Sequence, residues 1–403
     1  MPARLDLTLL AWVRRMSRRH PHDAQRRQSR FPIKPQIDTA FPDLHLAVKV
    51  NQMIRDPSPS TQVTPQQAAD WFTSAEPLTF SLRDEGLETV HAGHGAVVDS
   101  RDGQVVLSVG DPTQSAFPRS SLKFIQALGL VESGAADHFA LGAAQLALSC
   151  ASHHGEALHV ETVLRWLAQI GCHTDELVCG PARPKLEADR ERRAVQGAAP
   201  AREVHNCSGK HTGFLTLCQY QGWSRTNYHH RDHPAQQYFE DALLSLSGCS
   251  ANDLIWGVDG CGLPTPSLPV EAMARAMAGY ATPDASTVRG QAQARLVKAV
   301  VEEPWYIAGT DDFSVALARE TRGRIVAKVG AAGYFMAVIR DRGWGLALKM
   351  LDGSMDVAAG GLFTMLQRLH LLSEDESQAL RSFALPIPRN SQGEPVGHRH
   401  AIL

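Results

Sequence analysis

Strand patterns near both ends of the chain constrain this fold more than any other sequence feature. HGAVVDSRDGQVVLSVG reads as two strands joined at Arg101-Asp102-Gly103, which is typical of a hairpin. RGRIVAKVGAAGYFMAVIRDRGWGLALKMLDG reads as three more strands, separated by a glycine corner and a turn. Between them, helical spacing runs through HVETVLRWLAQIG, HPAQQYFEDALLSLSG and VEAMARAMAGYA, and VAAGGLFTMLQRLHLL closes the pattern as a helix. The pattern predicts an α+β fold, in which one antiparallel sheet is built from both ends of the chain and is flanked by helices.

The first part of the chain differs from the rest in composition. RRMSRRHPHDAQRRQSR is rich in arginine, and FPIKPQIDTAFPDL is interrupted by proline, so neither carries a periodic apolar pattern. We therefore predict an N-terminal extension at residues 1–76, which is either flexible or not part of the folded domain, and a folded domain at residues 77–403. A basic arm that touches an acidic partner is the alternative for the extension.

Composition limits the classes of partner and compartment. With 403 residues the chain can bury a large core, and a formal net charge of -2 gives no electrostatic case for nucleic acid or a membrane surface. LTLLAWV is too short to cross a bilayer and precedes its basic cluster, so we expect neither a signal peptide nor a membrane span. The seven cysteines are an odd number, which favours reduced thiols and a cytoplasmic location.

One short stretch, RSSLKFIQALG at residues 119–129, places Ser120 three residues before Lys123 at the start of a helix. In one interpretation, Ser120 or Ser121 is an N-cap and Lys123 is solvated. In the other, serine and lysine share a helix face, because positions i and i+3 are neighbours, and they form a nucleophile and its base. A base of this kind needs a lysine pKa below the usual value of about 10.4, which takes burial or a nearby positive charge such as Arg119.

Three other stretches concentrate reactive residues between apolar elements: LALSCASHHGE, HNCSGKHTG and GVDGCGLPTPSLP. Cys207 and Cys261 lie on two of them, and two thiolates on stiff loops suit a zinc ion. The spacing is not that of a zinc finger, so two small buried cysteines packed as apolar residues are the alternative. Lys328 ends an apolar strand before a glycine corner, where it is either an edge charge or part of a site.

Taken together, these motifs resemble the L-asparaginase II family of the thermolabile Rhizobium type. The resemblance rests on HAGHGAVV, RSSLKFIQAL, CASHHGE, HNCSGKHTGF, GVDGCGLPTPSLP, AGT, KVGAAG and GLALKMLDG, which occur in order from about residue 80 to the end. It implies a fold similar to serine β-lactamases, penicillin-binding proteins and β-lactamase-like glutaminases. It also implies hydrolysis of L-asparagine to L-aspartate and ammonia, typically by a homodimer.

The resemblance also assigns residues. It implies a catalytic pair of Ser120 and Lys123, and a second pair of Ser152 and Lys328, converging on one pocket. It implies one zinc ion per chain, held by Cys207, Lys210 and Cys261, with the lysine bound as the neutral amine. The residues it implies around the substrate are Arg119, His211 and Asp259. Ser120 is then the expected nucleophile and Lys123 its proton acceptor, although the sequence leaves open which of the two serines attacks first. Ser152 and Lys328 either relay protons or activate the hydrolytic water.

Two positions depart from the family pattern, and two rival functions follow from the shared motifs. Ala332 stands where a carboxylate is usual, and Asp311 stands where an arginine is expected before the aspartate. One rival is a β-lactam-recognising or glutaminase-type serine hydrolase, although the S-D-N and K-T-G elements of the former are missing. The other is a zinc-binding relative with altered catalytic activity, in which the thiolates only hold two loops together.

Overall fold

The strands predicted at the two ends of the chain meet in one sheet. The computed structural model describes residues 63–403. Its large sheet contains seven strands: β1 (Glu76–Arg83), β2 (Gly86–Asp99), β3 (Val105–Val109), β7 (Ile325–Gly330), β8 (Tyr334–Ile339), β9 (Trp344–Met350) and β10 (Gly397–Ala401). They lie in the order β10-β1-β2-β9-β8-β7, with β3 paired to β2, and every pairing is antiparallel. The predicted α+β class, with one antiparallel sheet built from both ends, is confirmed.

Among residues 63–403, one helix precedes β1, and the second sheet and the remaining helices lie between β3 and β7 or follow β9. The small sheet has the order β4-β6-β5, from β4 (Ser115–Ala116), β5 (Ile255–Val258) and β6 (Pro264–Pro269). The helices that precede β7 are α1 (Pro65–Thr73), α2 (Lys123–Gln126), α3 (Leu128–Glu132), α4 (Ala135–His138), α5 (Ala143–Ser149), α6 (Ala157–Gln169), α7 (Glu187–Val195), α8 (Ser208–Gln221), α9 (Pro234–Ser247), α10 (Val270–Ala281), α11 (Val288–Glu302) and α12 (Phe313–Glu320). After β9 come α13 (Met355–Arg368) and α14 (Glu374–Ala384). Sequence reasoning found α6, α9, α10 and α13 but missed α8, α11 and the small sheet, whose strands are short and include the proline-rich β6.

The large sheet separates two apolar cores, because successive side chains of a strand point to opposite faces. In β8, Met336 and Val338 pack into the core shared with the helices of the middle segment. Phe335, Ala337 and Ile339 of the same strand pack into the core shared with α12, α13 and α14. Both faces of β7 and β8 are therefore buried, which explains why their sequences are continuous apolar runs. Lys328 interrupts such a run and so needs a specific reason to be there.

Helix α1 lies inside the predicted N-terminal extension. Thr64 caps α1, accepting from the Gln67 amide at 3.1 Å while the Gln67 side chain accepts from Thr64 at 2.8 Å. Trp71 at the end of this helix lies against the ring of His94, with 5.8 Å between ring centroids. A capping box and one aromatic contact thus stabilise residues 65–73 as a helix. Neither is evident from the composition of the segment. The rest of the extension, residues 1–62, lies outside the described residues.

Across residues 63–403, no helix is both long enough and apolar enough to cross a bilayer.

Candidate active site

The RSSLK segment begins as a 3-10 turn at Arg119–Leu122 and continues directly into α2 at Lys123. Positions i and i+3 eclipse in a 3-10 helix, so Ser120 and Lys123 share a face as predicted. The two serines differ in use: Ser121 is buried and donates to the Lys328 carbonyl at 3.0 Å, while Ser120 is partly exposed. Within residues 63–403, no hydrogen bond involves the Ser120 hydroxyl. Ser121 therefore fixes the segment to β7, and Ser120 keeps a hydroxyl available for a ligand.

A glycine allows the segment to lie this close to β7. A Cβ atom at Gly330 would stand 2.2 Å from the Pro118 carbonyl oxygen and 2.8 Å from Ser121 Oγ. The first contact is with backbone, which cannot rotate away. The glycine corner predicted after Lys328 is thus the surface against which the RSSLK turn packs.

Ser152 joins the two candidate lysines. Its Oγ lies 3.0 Å from Lys123 Nζ and 2.8 Å from Lys328 Nζ, so one hydroxyl links two amines from distant parts of the chain. Lys123 also donates to the carbonyl oxygens of Ala151 and Asn206, and Lys328 donates to the Val329 carbonyl at 2.6 Å. The result is a continuous hydrogen-bonded chain, Lys123–Ser152–Lys328, which can pass a proton between the lysines.

Both lysines are fully buried, and their pKa values respond to that. Lys123 is 0% exposed and Lys328 is 1% exposed. Burial lowers the pKa of Lys123, although the nearby Cys207 partly opposes this. Burial also holds the pKa of Lys328 well below its ordinary value, and the positive charge of Lys123 adds to the effect. Burial disfavours the charged ammonium, so each amine is moved toward the neutral form that a base requires.

The CASHHGE loop is fixed by neighbours on two sides. The Ser152 amide donates to the Ile307 carbonyl at 3.0 Å, and the His153 amide donates to the Asn206 carbonyl at 3.2 Å. The His153 ring contacts Ser208 Oγ at 2.9 Å, which links this loop to the start of α8. Sequence reasoning missed Asn206 because its backbone carbonyl, rather than its side chain, binds the lysine.

Cys207, Lys210 and Cys261 lie together beside this chain. Lys210 Nζ donates to Cys261 Sγ at 3.1 Å, and all three side chains are 3% exposed. The pKa of Cys207 lies well below its ordinary value, first because Cys261 donates a hydrogen bond to its sulfur, and second because Lys123 and Lys210 are near. That same hydrogen bond raises the pKa of Cys261. Burial would lower the pKa of Lys210, but the sulfur atoms of Cys261 and Cys207 raise it above its ordinary value.

This donor set fits a zinc ion by chemistry. Thiolate sulfur and an amine nitrogen are ligands that zinc accepts, and the three groups already cluster without a metal. Among the described residues, no group of three or more His, Cys, Asp and Glu side chains gathers at a metal-binding distance. A metal here would therefore depend on Lys210 as its third protein ligand, which makes the lysine the unusual element of the site.

Arg119 and Asp259 form an ion pair next to the thiols. Arg119 Nε donates to Asp259 Oδ1 at 2.5 Å, and the Arg119 backbone is held at a left-handed φ of 53°. Burial opposes ionisation of Asp259, but Lys210 and Arg119 keep its pKa below its ordinary value. The Cys261 thiol also lies 3.8 Å from Asp259 Oδ2, so the pair borders the predicted metal ligands.

His211 is buried one residue beyond Lys210. Tyr228 accepts from the Val178 amide at 2.9 Å, and its hydroxyl lies 2.7 Å from His211 Nδ1. In the part of the chain that the structure describes, Nε2 has no partner. His211 thus keeps one ring nitrogen available near the thiols, and Tyr228, which sequence reasoning missed, fixes the ring through the other.

A cavity of about 280 Å³ reaches the site from the side of Ser152. Its lining includes Ser152, the cationic Arg183 and Lys185, and the anionic Asp312. Neither basic residue was predicted for the site, because PARPKLEADR reads as an ordinary charged surface. The structure therefore adds a charged wall that the sequence motifs did not indicate.

A serine hydroxyl held between two buried lysines, beside a loop-rich cavity, is typical of hydrolases that work through serine. The L-asparaginase II family model matches residues 80–401, most of the chain. The chain belongs to this family, whose members are amidohydrolases. The resemblance drawn from the sequence is confirmed at that level.

Two other comparisons add little. No sequence among the curated proteins matches the chain. One solved structure that it resembles comes from Bacteroides dorei DSM 17855 and is assigned as a beta-lactamase. The two share 10% sequence identity with a TM-score of 0.34, over 64% of this chain and 84% of that one. The predicted likeness to serine β-lactamases therefore stays a prediction.

Proposed function

We propose that this protein is an L-asparaginase, which hydrolyses L-asparagine to L-aspartate and ammonia through an ester on serine. The observation that carries the proposal is the Lys123–Ser152–Lys328 chain, with contacts of 3.0 and 2.8 Å, inside the region matched by the L-asparaginase II family. It supplies buried amines for proton transfer at the foot of the RSSLK turn. Amide hydrolysis through serine needs such a base and a nearby nucleophile.

Ser120 is the proposed nucleophile. It shares a face with Lys123 and is partly exposed, whereas Ser121 is committed to the Lys328 carbonyl. Its lack of a hydrogen bond to Lys123 does not exclude it, since catalytic contacts often tighten only when substrate binds. Lys123 takes the Ser120 proton, Ser120 attacks the side-chain carbonyl, and ammonia leaves. Ser152 and Lys328 relay protons to the leaving nitrogen and later from the hydrolytic water.

Arg119, Asp259 and His211 are the proposed substrate-binding groups. Arg119 has guanidinium nitrogens beyond the one that binds Asp259, and these suit the α-carboxylate of asparagine. Asp259 suits the α-ammonium group, and His211 Nε2, which has no hydrogen-bond partner among residues 63–403, suits a polar atom of the ligand. Backbone amides of the RSSLK turn are the natural donors for the oxyanion.

Cys207, Lys210 and Cys261 would hold the zinc ion, one per chain. When bound, it would position substrate and fix the two loops, because two thiolates make it a weak source of hydroxide. The acyl chemistry of the serines and lysines does not depend on it.

A homodimer and a cytoplasmic location belong to the same proposal. All seven cysteines are free, as thiols in a reducing compartment are. Light scattering of the purified protein measures the oligomeric state, and a monomeric mass would contradict the dimer.

One assay tests the central proposal. The purified full-length chain is mixed with L-asparagine, and released ammonia is measured alongside L-glutamine and a β-lactam. Ammonia from asparagine is the expected result. Its absence would favour the zinc-binding rival, while equal rates on glutamine or loss of the β-lactam ring would favour the other hydrolase classes.

A further inference from the structure

The cavity beside Ser152 is larger than the proposed leaving group requires. Ammonia is about as large as water, whose share of the liquid is about 30 Å³. The cavity measures about 280 Å³ and borders a second one of about 440 Å³. Lys185, Asp312, Val329 and Met355 line both, so the two spaces adjoin at these residues.

The position of this space in the reaction follows from the proposed function. Ser152 and Lys328 relay the proton to the leaving nitrogen, so that nitrogen must face Ser152. Of the four proposed catalytic side chains, Ser152 is the one that lines the cavity. Whatever is attached to the leaving nitrogen would therefore extend into it. Arg119 and Asp259 are absent from its lining, which leaves them to hold the aspartyl end.

The walls of the cavity favour a carboxylate. Arg183 and Lys185 both line it, and neither has a carboxylate within 4.0 Å among residues 63–403. Lys185 is also held in place: its Nζ lies 3.1 Å from His154 Nε2, and its amide donates to the His154 carbonyl at 2.8 Å. These contacts tie a cation to the loop that carries Ser152.

The opposing charge in the cavity is already engaged. Asp312 accepts from the Ser314 amide at 2.8 Å as the N-cap of α12, and its other oxygen lies 3.7 Å from His154 Nε2. With Arg183, Lys185 and one carboxylate, the first cavity has a net positive wall. The adjoining cavity has a mixed lining: Asp311, Asp312, Asp356 and Lys185 lie beside apolar side chains that include Phe313, Phe335, Met355 and Phe383.

We propose that the enzyme also hydrolyses β-aspartyl dipeptides, in which an amino acid replaces ammonia as the leaving group. The proposal rests on the proposed asparaginase function. Lys185 and Arg183 bind the carboxylate of the departing amino acid, and its side chain packs against the phenylalanine and methionine side chains of the adjoining cavity. Ser120 Oγ bonds to the aspartyl carbonyl carbon, the C–N bond breaks, and the relay protonates the departing amine. Water then cleaves the ester, so one dipeptide and one water give L-aspartate and a free amino acid.

The test uses L-β-aspartyl-L-leucine, L-asparagine and N4-(3-methylbutyl)-L-asparagine, which has the leucine side chain but no second carboxylate. Wild type is expected to release leucine from the dipeptide. Lys185→Gln and Arg183→Gln should each raise KM for the dipeptide about tenfold or more, which is the usual effect of losing a charge-assisted hydrogen bond. KM for the other two substrates should stay unchanged. Lys298→Gln is the matched control, since this exposed lysine on α11 pairs only with Glu302.

The possible outcomes separate the two proposals. Cleavage of asparagine without cleavage of the dipeptide would overturn this inference and leave the asparaginase intact. Cleavage of the dipeptide alone would support the inference and contradict the asparaginase. An equal rise in KM for asparagine in Lys185→Gln would show that the cavity holds the α-carboxylate of asparagine, which also overturns the inference. Cleavage of neither substrate overturns both.

Discussion

The two serines of the site should respond differently to the same substitution. Ser152→Ala removes the hydroxyl that links Lys123 to Lys328, so it cuts the proton relay but leaves the proposed nucleophile in place. Positioned proton transfer contributes about 10²–10⁴-fold to a rate. We expect kcat on L-asparagine to fall by about that factor, with the acyl-enzyme still forming. Ser120→Ala should lose more, because no ester can form.

The structure also sets the expected cost in stability. Ser152→Ala removes two hydrogen bonds at about 0.5–1.5 kcal/mol each, giving about 1–3 kcal/mol. Lys123 keeps two carbonyl partners, Lys328 keeps one, and water from the adjoining cavity can replace the hydroxyl. The melting temperature should therefore fall by only a few degrees. Ser120 makes no hydrogen bond through its side chain within residues 63–403, so Ser120→Ala should leave stability nearly unchanged.

Acid quenching followed by mass spectrometry of peptides locates the ester. The expected adduct maps to the peptide with Ser120 in wild type and in Ser152→Ala, and is absent from Ser120→Ala. An adduct on Ser152 in wild type would refute the assignment of Ser120 and make Ser152 the nucleophile. More than a tenth of wild-type kcat in Ser120→Ala would refute it independently.

Four more predictions follow from the site. Purified protein should contain about one zinc per chain, and Cys207→Ser and Cys261→Ser should each lose it. Each variant should raise KM for asparagine more than it lowers kcat. If metal analysis finds equal zinc in both variants, the two cysteines are core residues. The rate should rise with pH and level off before pH 10.5, the ordinary pKa of lysine, because burial lowers the pKa of Lys123 and Lys328. A pH–rate profile that still rises beyond that point would contradict the assignment of these lysines as bases. Asparagine should be preferred to glutamine at least about a hundredfold in kcat/KM, and no β-lactam should be hydrolysed. One extra methylene alone discriminates roughly 10–200-fold, and misplacing the reacting carbonyl adds to this. Comparable rates on the two amino acids would contradict the proposed substrate-binding groups. Gly330→Ala should lower kcat severely, because its Cβ would stand 2.2 Å from the Pro118 carbonyl and displace the RSSLK turn. Gly180→Ala, which has no heavy atom within 4 Å of the added Cβ and no positive φ, serves as the control for expression and folding.

Local sequence signals predicted the elements but not their contacts. The hairpin at residues 100–103 and the strands around Gly330 follow from turn chemistry and apolar runs, so they could be read from short windows. Ser152 is 29 residues from Lys123 and 176 from Lys328 in sequence, and the three meet because the RSSLK turn and the CASHHGE loop pack beside β7. The family resemblance supplied the same residues as a set. The charged cavity wall at Lys185 had no motif at all, because exposed basic residues are common on any surface.

The three buried lysines of the site divide into two roles by their surroundings. Lys123, Lys328 and Lys210 are 0%, 1% and 3% exposed, so burial works against the charged form of each to a similar degree. Burial lowers the pKa of Lys123 and Lys328, yet the sulfur atoms of Cys261 and Cys207 raise that of Lys210. When similar groups in one site are pushed in opposite directions, their environments assign the bases. Lys123 and Lys328 are suited to accept protons, whereas Lys210 is suited to carry a positive charge beside the thiols.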